Sequence, residues 1–161
     1  MELEQYRLLT KQAVAFIGSE TNLVANLANL SALLNMEMTD INWVGFYLLE
    51  GDELVLGPFQ GKPACIRIPV GRGVCGTAIE TNSVQRIADV HSFDGHIACD
   101  ADSRSELVIP FSINGQLRGV LDIDSPITGR FSEVDEQGLT EMVNQVEKLF
   151  NSQTNETLFV V

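Results

Sequence analysis

Two apolar stretches, Leu107–Ile113 and Leu117–Ile123, flank the dipeptide Asn114–Gly115. A type I′ turn needs positive φ at both central residues, and asparagine followed by glycine is the pair that accepts this with least strain. The segment is therefore expected to close as a tight hairpin, which commits the chain to a sheet with antiparallel strands. Asn42–Glu50 and Glu53–Phe59, rich in aromatic and β-branched residues and separated by Gly51 and Asp52, read as a second hairpin. Cys65–Val70 and Gln85–Ala88 are shorter strand candidates, with a helix from Val74 to about Thr81 between them.

Helical periodicity is concentrated toward the two ends. Tyr6, Leu9, Ala13, Phe16 and Ile17 recur three or four apart, as do Leu23, Leu27, Leu30 and Leu34, with Ser19, Glu20, Thr21 and Asn22 supplying cap chemistry between the two runs. Near the other end, Ser132 followed by Asp135 is a capping signal, and Val134, Leu139, Met142, Val143, Val146 and Phe150 continue it as an amphipathic helix. Helices are thus expected at about 3–18, 21–36 and 132–151. The fold class is α+β: one domain over residues 1–161, with a mostly antiparallel sheet and the helices from both termini on one of its faces.

Composition limits the functions available. With 10 Lys and Arg against 22 Asp and Glu, the formal net charge is −12, which repels nucleic acid and anionic membrane surfaces. The opening MELEQYRLLTKQ has acidic residues where a signal peptide needs basic ones, and no apolar run approaches a bilayer span, so a cytoplasmic location is expected. A domain of this size buries roughly two-thirds of its unfolded surface and needs no disulfide to fold. The three cysteines, Cys65, Cys75 and Cys99, are odd in number and lack a C-x-x-C spacing. That pattern argues against a disulfide staple or a zinc ribbon and points to thiol chemistry.

The segments NWVGFYLL, LGPFQGKPAC, IPVGRGVCGTA, DVHSFDGHIACD, SELVIPF and GVLDIDSP, in this order, closely resemble the free methionine-R-sulfoxide reductases, enzymes built on a GAF domain. The resemblance runs from about Asn42 to Pro126, with helices before and after where that fold has them. It implies reduction of free methionine-R-sulfoxide to methionine, no bound cofactor, recycling of the thiols by thioredoxin, and a homodimer. It also implies that Cys99, in GHIACD, carries the sulfenic acid and that Cys65 pairs with Cys99, leaving Cys75 as nucleophile or relay.

The residues themselves fit that chemistry. Sulfoxide reduction needs a thiolate to attack sulfur, an acid to protonate the departing oxygen, and a second thiol to convert the sulfenic acid into a disulfide. Cys99 is assigned as nucleophile; Asp100 beside it opposes thiolate formation, so activation must come from backbone N–H dipoles or from the substrate's ammonium. Cys75 follows Gly71 and Gly73 at the head of a helix, where the helix dipole is expected to make it the more acidic of the two remaining thiols. Glu106, Asp122 and Asp124 match the family's acidic cluster. On a strand, Asp122 and Asp124 share one face, with Ile123 turned to the other. Crowded carboxylates raise one another's pKa, so Asp124 or Glu106 is expected to protonate the oxygen and Asp122 to hold the α-ammonium. Trp43 and Tyr47, four apart on a strand, also share a face and resemble the family's apolar wall around the S-methyl group. Backbone amides near Gly73, Val74 and Cys75, or near Ile97 and Ala98, are candidates for the α-carboxylate.

Three other readings compete. His91, His96, Cys75 and Cys99 invite a metal site, but H-x4-H-x2-C without a second cysteine pair is a weak signature, and the histidines are expected to order a loop. GRGVCG lacks the Lys and Ser/Thr of a P-loop. A non-catalytic GAF module that binds a ligand or senses redox state is compatible with the fold. Such a sensor sits beside an output domain, and none is expected here.

Overall fold

The computed structural model describes residues 1–97, 99 and 101–157. Helices α1 (Leu3–Ile17) and α2 (Leu23–Glu37) lead into β1 (Trp43–Glu50), β2 (Glu53–Gly61) and β3 (Arg67–Pro69). Then come α3 (Gly73–Thr81), β4 (Gln85–Ile87), a short 3-10 turn (Val90–Ser92), β5 (Ser105–Ile113), β6 (Gln116–Ser125) and α4 (Glu133–Thr157). The strands form one six-stranded sheet in the order β3-β2-β1-β6-β5-β4, with every pairing antiparallel.

The expected elements are present, and local chemistry explains their limits. Asn114 and Gly115 have φ of 53° and 76°, the two positive angles that a type I′ turn demands, and Ile113 pairs with Gln116 across the turn. Asn22 caps α2 by accepting from the Ala25 amide at 2.9 Å. Ser132 and Asp135 cap α4 reciprocally: the Asp135 amide donates to Ser132 Oγ at 3.2 Å and the Ser132 amide to Asp135 Oδ2 at 2.8 Å. The strand expected over Cys65–Val70 is shorter, because only Arg67–Pro69 pair with β2. Cys65 lies in the preceding loop, where Tyr47 Oη donates to its carbonyl at 2.9 Å. β5 and β6 run longer than their apolar cores suggested, and this places Glu106 and Asp124 on strands.

The sheet separates two apolar layers. On one face α2 and α4 pack through Leu27, Leu34 and Leu139 against Val44, Leu107, Leu121 and Ile123, and α1 packs mainly on α4, with Tyr6 against Gly138. On the other, α3 packs through Val74, Cys75, Ala78 and Ile79 against Trp43, Tyr47, Val108 and Val120. The helices from both termini therefore share one face, leaving the opposite face for α3 and the loops around it. Among the described residues, no helix is long and apolar enough to cross a membrane.

Asp135 ties the helical layer together. Buried to 2% exposure, it accepts from the Tyr6 hydroxyl and from the Ser132 amide, and pairs with Arg130 Nη1 at 3.2 Å. Burial pushes its carboxyl upward, but the Ser132 amide, the Tyr6 hydroxyl and the Arg130 guanidinium outweigh burial and hold it below its ordinary value. A depressed carboxyl contributes stability above its unfolded pKa and loses it as pH falls through its folded one. Asp135→Ala is expected to cost about 3 kcal/mol at neutral pH, since it takes one partner from the partly buried Arg130 guanidinium and strands the buried Tyr6 phenol. Urea unfolding of variant and wild type should converge in acid, once the wild-type carboxyl is protonated.

Candidate active site

Strand register assembles the acidic cluster. Trp43 of β1 pairs with Asp124 of β6, and Asp124 pairs in turn with Glu106 of β5, so one row across three strands carries an indole and two carboxyls. In the adjacent row Gly45 pairs with Asp122 and Asp122 with Val108. Side chains alternate along a strand, so Asp122, Asp124 and Glu106 share a face, while Ile123 and Leu107 enter the helical core on the other. All three acids line one pocket, together with Trp43, Tyr47, Cys75 and Cys99.

The aromatic wall does more than supply apolar surface. Trp43 stacks on Tyr47 with ring centroids 5.8 Å apart and on Phe59 of β2 at 5.2 Å. A Cβ on Gly45 would collide with the Cα and Cβ of Phe59 and with the Pro58 carbonyl, so the glycine lets β2 approach β1 closely where Phe59 meets the indole. The polar tips of the wall hold the loop that carries Cys65. Trp43 Nε1 donates to the Lys62 carbonyl at 3.2 Å, and Tyr47 Oη to the Cys65 carbonyl.

Cys65 is joined to Cys99 by a disulfide, with their Cα atoms 5.4 Å apart. This is the pairing that the family resemblance implied, whereas cysteine count and spacing alone argued against a disulfide. Beside it, Lys62 Nζ meets Asp102 Oδ2 at 2.7 Å, a second and exposed tie between the two loops. The expected effects of Asp100 and of the Ala98 amide lie outside the described residues. His96 and Ile97, from the segment before Cys99, line the cavity, and burial together with the nearby His91 lowers the His96 pKa, favouring a neutral ring.

Cys75 departs from expectation. It stands in the first turn of α3, where the dipole alone would acidify a thiol, yet its pKa is pushed well above the usual value. Burial is the largest cause, followed by the charges of Asp122, Glu106 and Asp124. The thiol is 4% exposed and its Sγ lies 3.8 Å from Glu106 Oε2. Desolvation and three facing carboxyls override a helix terminus, so Cys75 is the free cysteine but not an acidic one.

Glu106 is likewise raised well above its ordinary value by burial first and by Asp122 and Asp124 next. Burial also raises Asp122, but hydrogen bonds to Glu106 and Cys75 pull it back. Both acids are thus pushed toward the neutral form, Glu106 the more strongly, with hydrogen bonds holding Asp122 closer to ionisation. Two lining residues were missed at the level of sequence: Arg72, the sole Lys or Arg among the described lining residues, and Ser103, whose hydroxyl accepts from Asn42 Nδ2 at 3.1 Å. The arginine within GRGVCG was the available signal. The histidines do not join the cysteines in a ligand set; among the described residues, the grouped donors are Cys75, Glu106 and Asp122.

The sequence matches the GAF domain family over residues 22–149. It is 62% identical over 146 residues to the free methionine-R-sulfoxide reductase of Escherichia coli strain K12, covering 91% of this chain and 88% of that one. The fold superposes on fRMsr of Staphylococcus aureus in complex with substrate, with a TM-score of 0.86, 54% identity and coverage of 90% and 95%. It also superposes on the Neisseria meningitidis free methionine-R-sulfoxide reductase in complex with its substrate, with a TM-score of 0.90, 43% identity and coverage of 96% and 93%. A relative this similar over nearly the full length of both chains, with the thiols and acids gathered in one cavity, leaves no ambiguity of family: the chain belongs to the free methionine-R-sulfoxide reductases, oxidoreductases of the GAF-domain class.

Proposed function

We propose that this protein reduces free L-methionine-R-sulfoxide to methionine through Cys99 and Cys65, with thioredoxin as the external reductant and no bound cofactor. The observation that carries the reading is the Cys65–Cys99 disulfide at the edge of a pocket that is also lined by the buried Glu106, Asp122 and the stacked Trp43 and Tyr47. In the reduced enzyme the Cys99 thiolate attacks the sulfoxide sulfur, the S–O bond breaks, and the oxygen passes to Cys99 as a sulfenic acid while methionine leaves. The Cys65 thiol then displaces that oxygen as water and forms the disulfide. A dithiol such as thioredoxin reduces the disulfide by exchange and becomes oxidised itself.

Glu106 is assigned as the proton donor to the sulfoxide oxygen, since burial and two acidic neighbours keep it protonated. Asp122, hydrogen-bonded by both neighbours, takes the α-ammonium. Arg72 and the first-turn amides of α3, which have no intrahelical acceptors, suit the α-carboxylate. The stacked Trp43 and Tyr47 present the flat apolar surface that an S-methyl group requires. Cys75 serves as a neutral thiol in the acidic cluster and not as a nucleophile.

The decisive assay follows each epimer of free methionine sulfoxide with a thiol reductant. The R epimer should be consumed and the S epimer left; equal consumption of both, or of neither, refutes the reading. An acid that must be protonated also fixes the sign of the pH dependence. Single-turnover rates should fall as pH rises through the raised Glu106 pKa, and Glu106→Gln should lower the rate and remove that alkaline limb.

A further inference from the structure

Asp122 leaves half of its carboxylate unanswered. The residue is 5% exposed, faces the cavity, and its Oδ1 has no hydrogen-bond partner among the described residues. A buried acceptor in this condition costs free energy until a donor or a cation meets it. Around it, Cys75 Sγ, a Glu106 oxygen and an Asp122 oxygen all lie within 4.8 Å of one another. Sγ and Glu106 Oε2 are already 3.8 Å apart.

A sulfur and two carboxylate oxygens form a ligand set for a borderline-soft divalent cation. Zinc takes thiolate at about 2.3 Å and carboxylate at about 2.0–2.2 Å, so tetrahedral ligand atoms stand roughly 3.5 Å from one another. The present spacing needs only a contraction of side chains. Their backbones are set by α3, β5 and β6, which orients the ligands in advance. The fourth position opens toward the cavity, where a water can complete the tetrahedron. Hard cations such as magnesium want six oxygens in a near-ideal octahedron, which this set does not offer.

We propose that Cys75, Glu106 and Asp122 form a binding site for a zinc-class divalent cation, taken in the place of the amino acid's α-ammonium, so that cation and amino acid exclude one another. The exclusion rests on the assignment of Asp122 to the ammonium made above; the metal site does not. Coordination breaks the Cys75 S–H bond and displaces the proton carried by Glu106; both protons leave to solvent, and no electron is transferred.

The disulfide form of the protein tests this cleanly, because with Cys65 and Cys99 bonded the one remaining thiol is Cys75. That form is titrated with Co²⁺, whose thiolate complexes absorb in the near ultraviolet. One equivalent should produce the thiolate-to-cobalt band, one equivalent of Zn²⁺ should abolish it, and a tenfold excess of Mg²⁺ should not. Cys75→Ser should lose the band, Asp122→Asn should weaken apparent affinity at least tenfold, and saturating free methionine sulfoxide should do the same in the wild type. Absence of the band in the wild type, which needs no variant to fold, overturns the site, as does a band that survives in Cys75→Ser. A cobalt band indifferent to the amino acid upholds the metal site but overturns the exclusion, and with it the placement of the ammonium on Asp122.

Discussion

Cys99→Ser is expected to abolish methionine formation even in a single turnover, because a serine hydroxyl of high pKa cannot supply the soft nucleophile that a sulfoxide sulfur requires. The companion Cys65→Ser should behave differently. It should release one equivalent of methionine per subunit and then stop with thioredoxin as reductant, since the sulfenic acid on Cys99 has lost the partner to which it is bonded in this structure. Cys75→Ser should retain both the burst and thioredoxin-dependent turnover, for a thiol held neutral by burial and three carboxyls has no nucleophile to lose. Rapid-quench measurement of methionine separates the three. A full burst in Cys99→Ser would move the nucleophile to another thiol, and full turnover in Cys65→Ser would remove it as resolver.

N-acetylation of the substrate, or its incorporation into a peptide, is expected to lower kcat/KM by roughly two to four orders of magnitude. Either change deletes the ammonium that is proposed to face Asp122 and adds bulk at the amino end of the substrate. Asp122 is buried, and breaking a buried ion pair from one side costs about 3 to 5 kcal/mol, which sets the size of the effect. The comparison is a kcat/KM ratio for free and N-acetylated methionine-R-sulfoxide. Equal values would mean that Asp122 does not recognise the amino group at all.

The sequence disclosed the frame of the site better than its electrostatics. Asn114–Gly115 announced a hairpin through the φ angles that only such residues accept, and two-residue alternation then placed Asp122 and Asp124 on the face opposite Ile123. Those are local rules, and a short window of residues contains everything they need. The acidity of Cys75 is not local. Its window showed glycines and a helix start, whereas the carboxyls that reverse the prediction arrive from β5 and β6, paired across the sheet. The holding of the Cys65 loop by Trp43 and Tyr47 was hidden for the same reason, since one aromatic pair could be recognised as a wall but not as two hydrogen-bond donors aimed at carbonyls of a later loop. His96 illustrates a smaller gap: its loop was foreseen, and its place at the cavity was not.

The Asn114–Gly115 turn and the one-residue shift of the β5–β6 ladder between Phe111 and Ser112 together set the register in which Asp124 meets Glu106, far along the strands. At about 3.3 Å per residue the turn stands roughly 23–30 Å from the acids along the strands. Because strand faces alternate with a period of two, a slip of β6 by one position against its neighbours would swing Asp122 and Asp124 into the helical core and deliver Ile123 to the cavity. Selection on catalysis can therefore act on a remote bend in the chain, and an inserted residue there that no bulge absorbed would silence the enzyme while every catalytic side chain was still encoded.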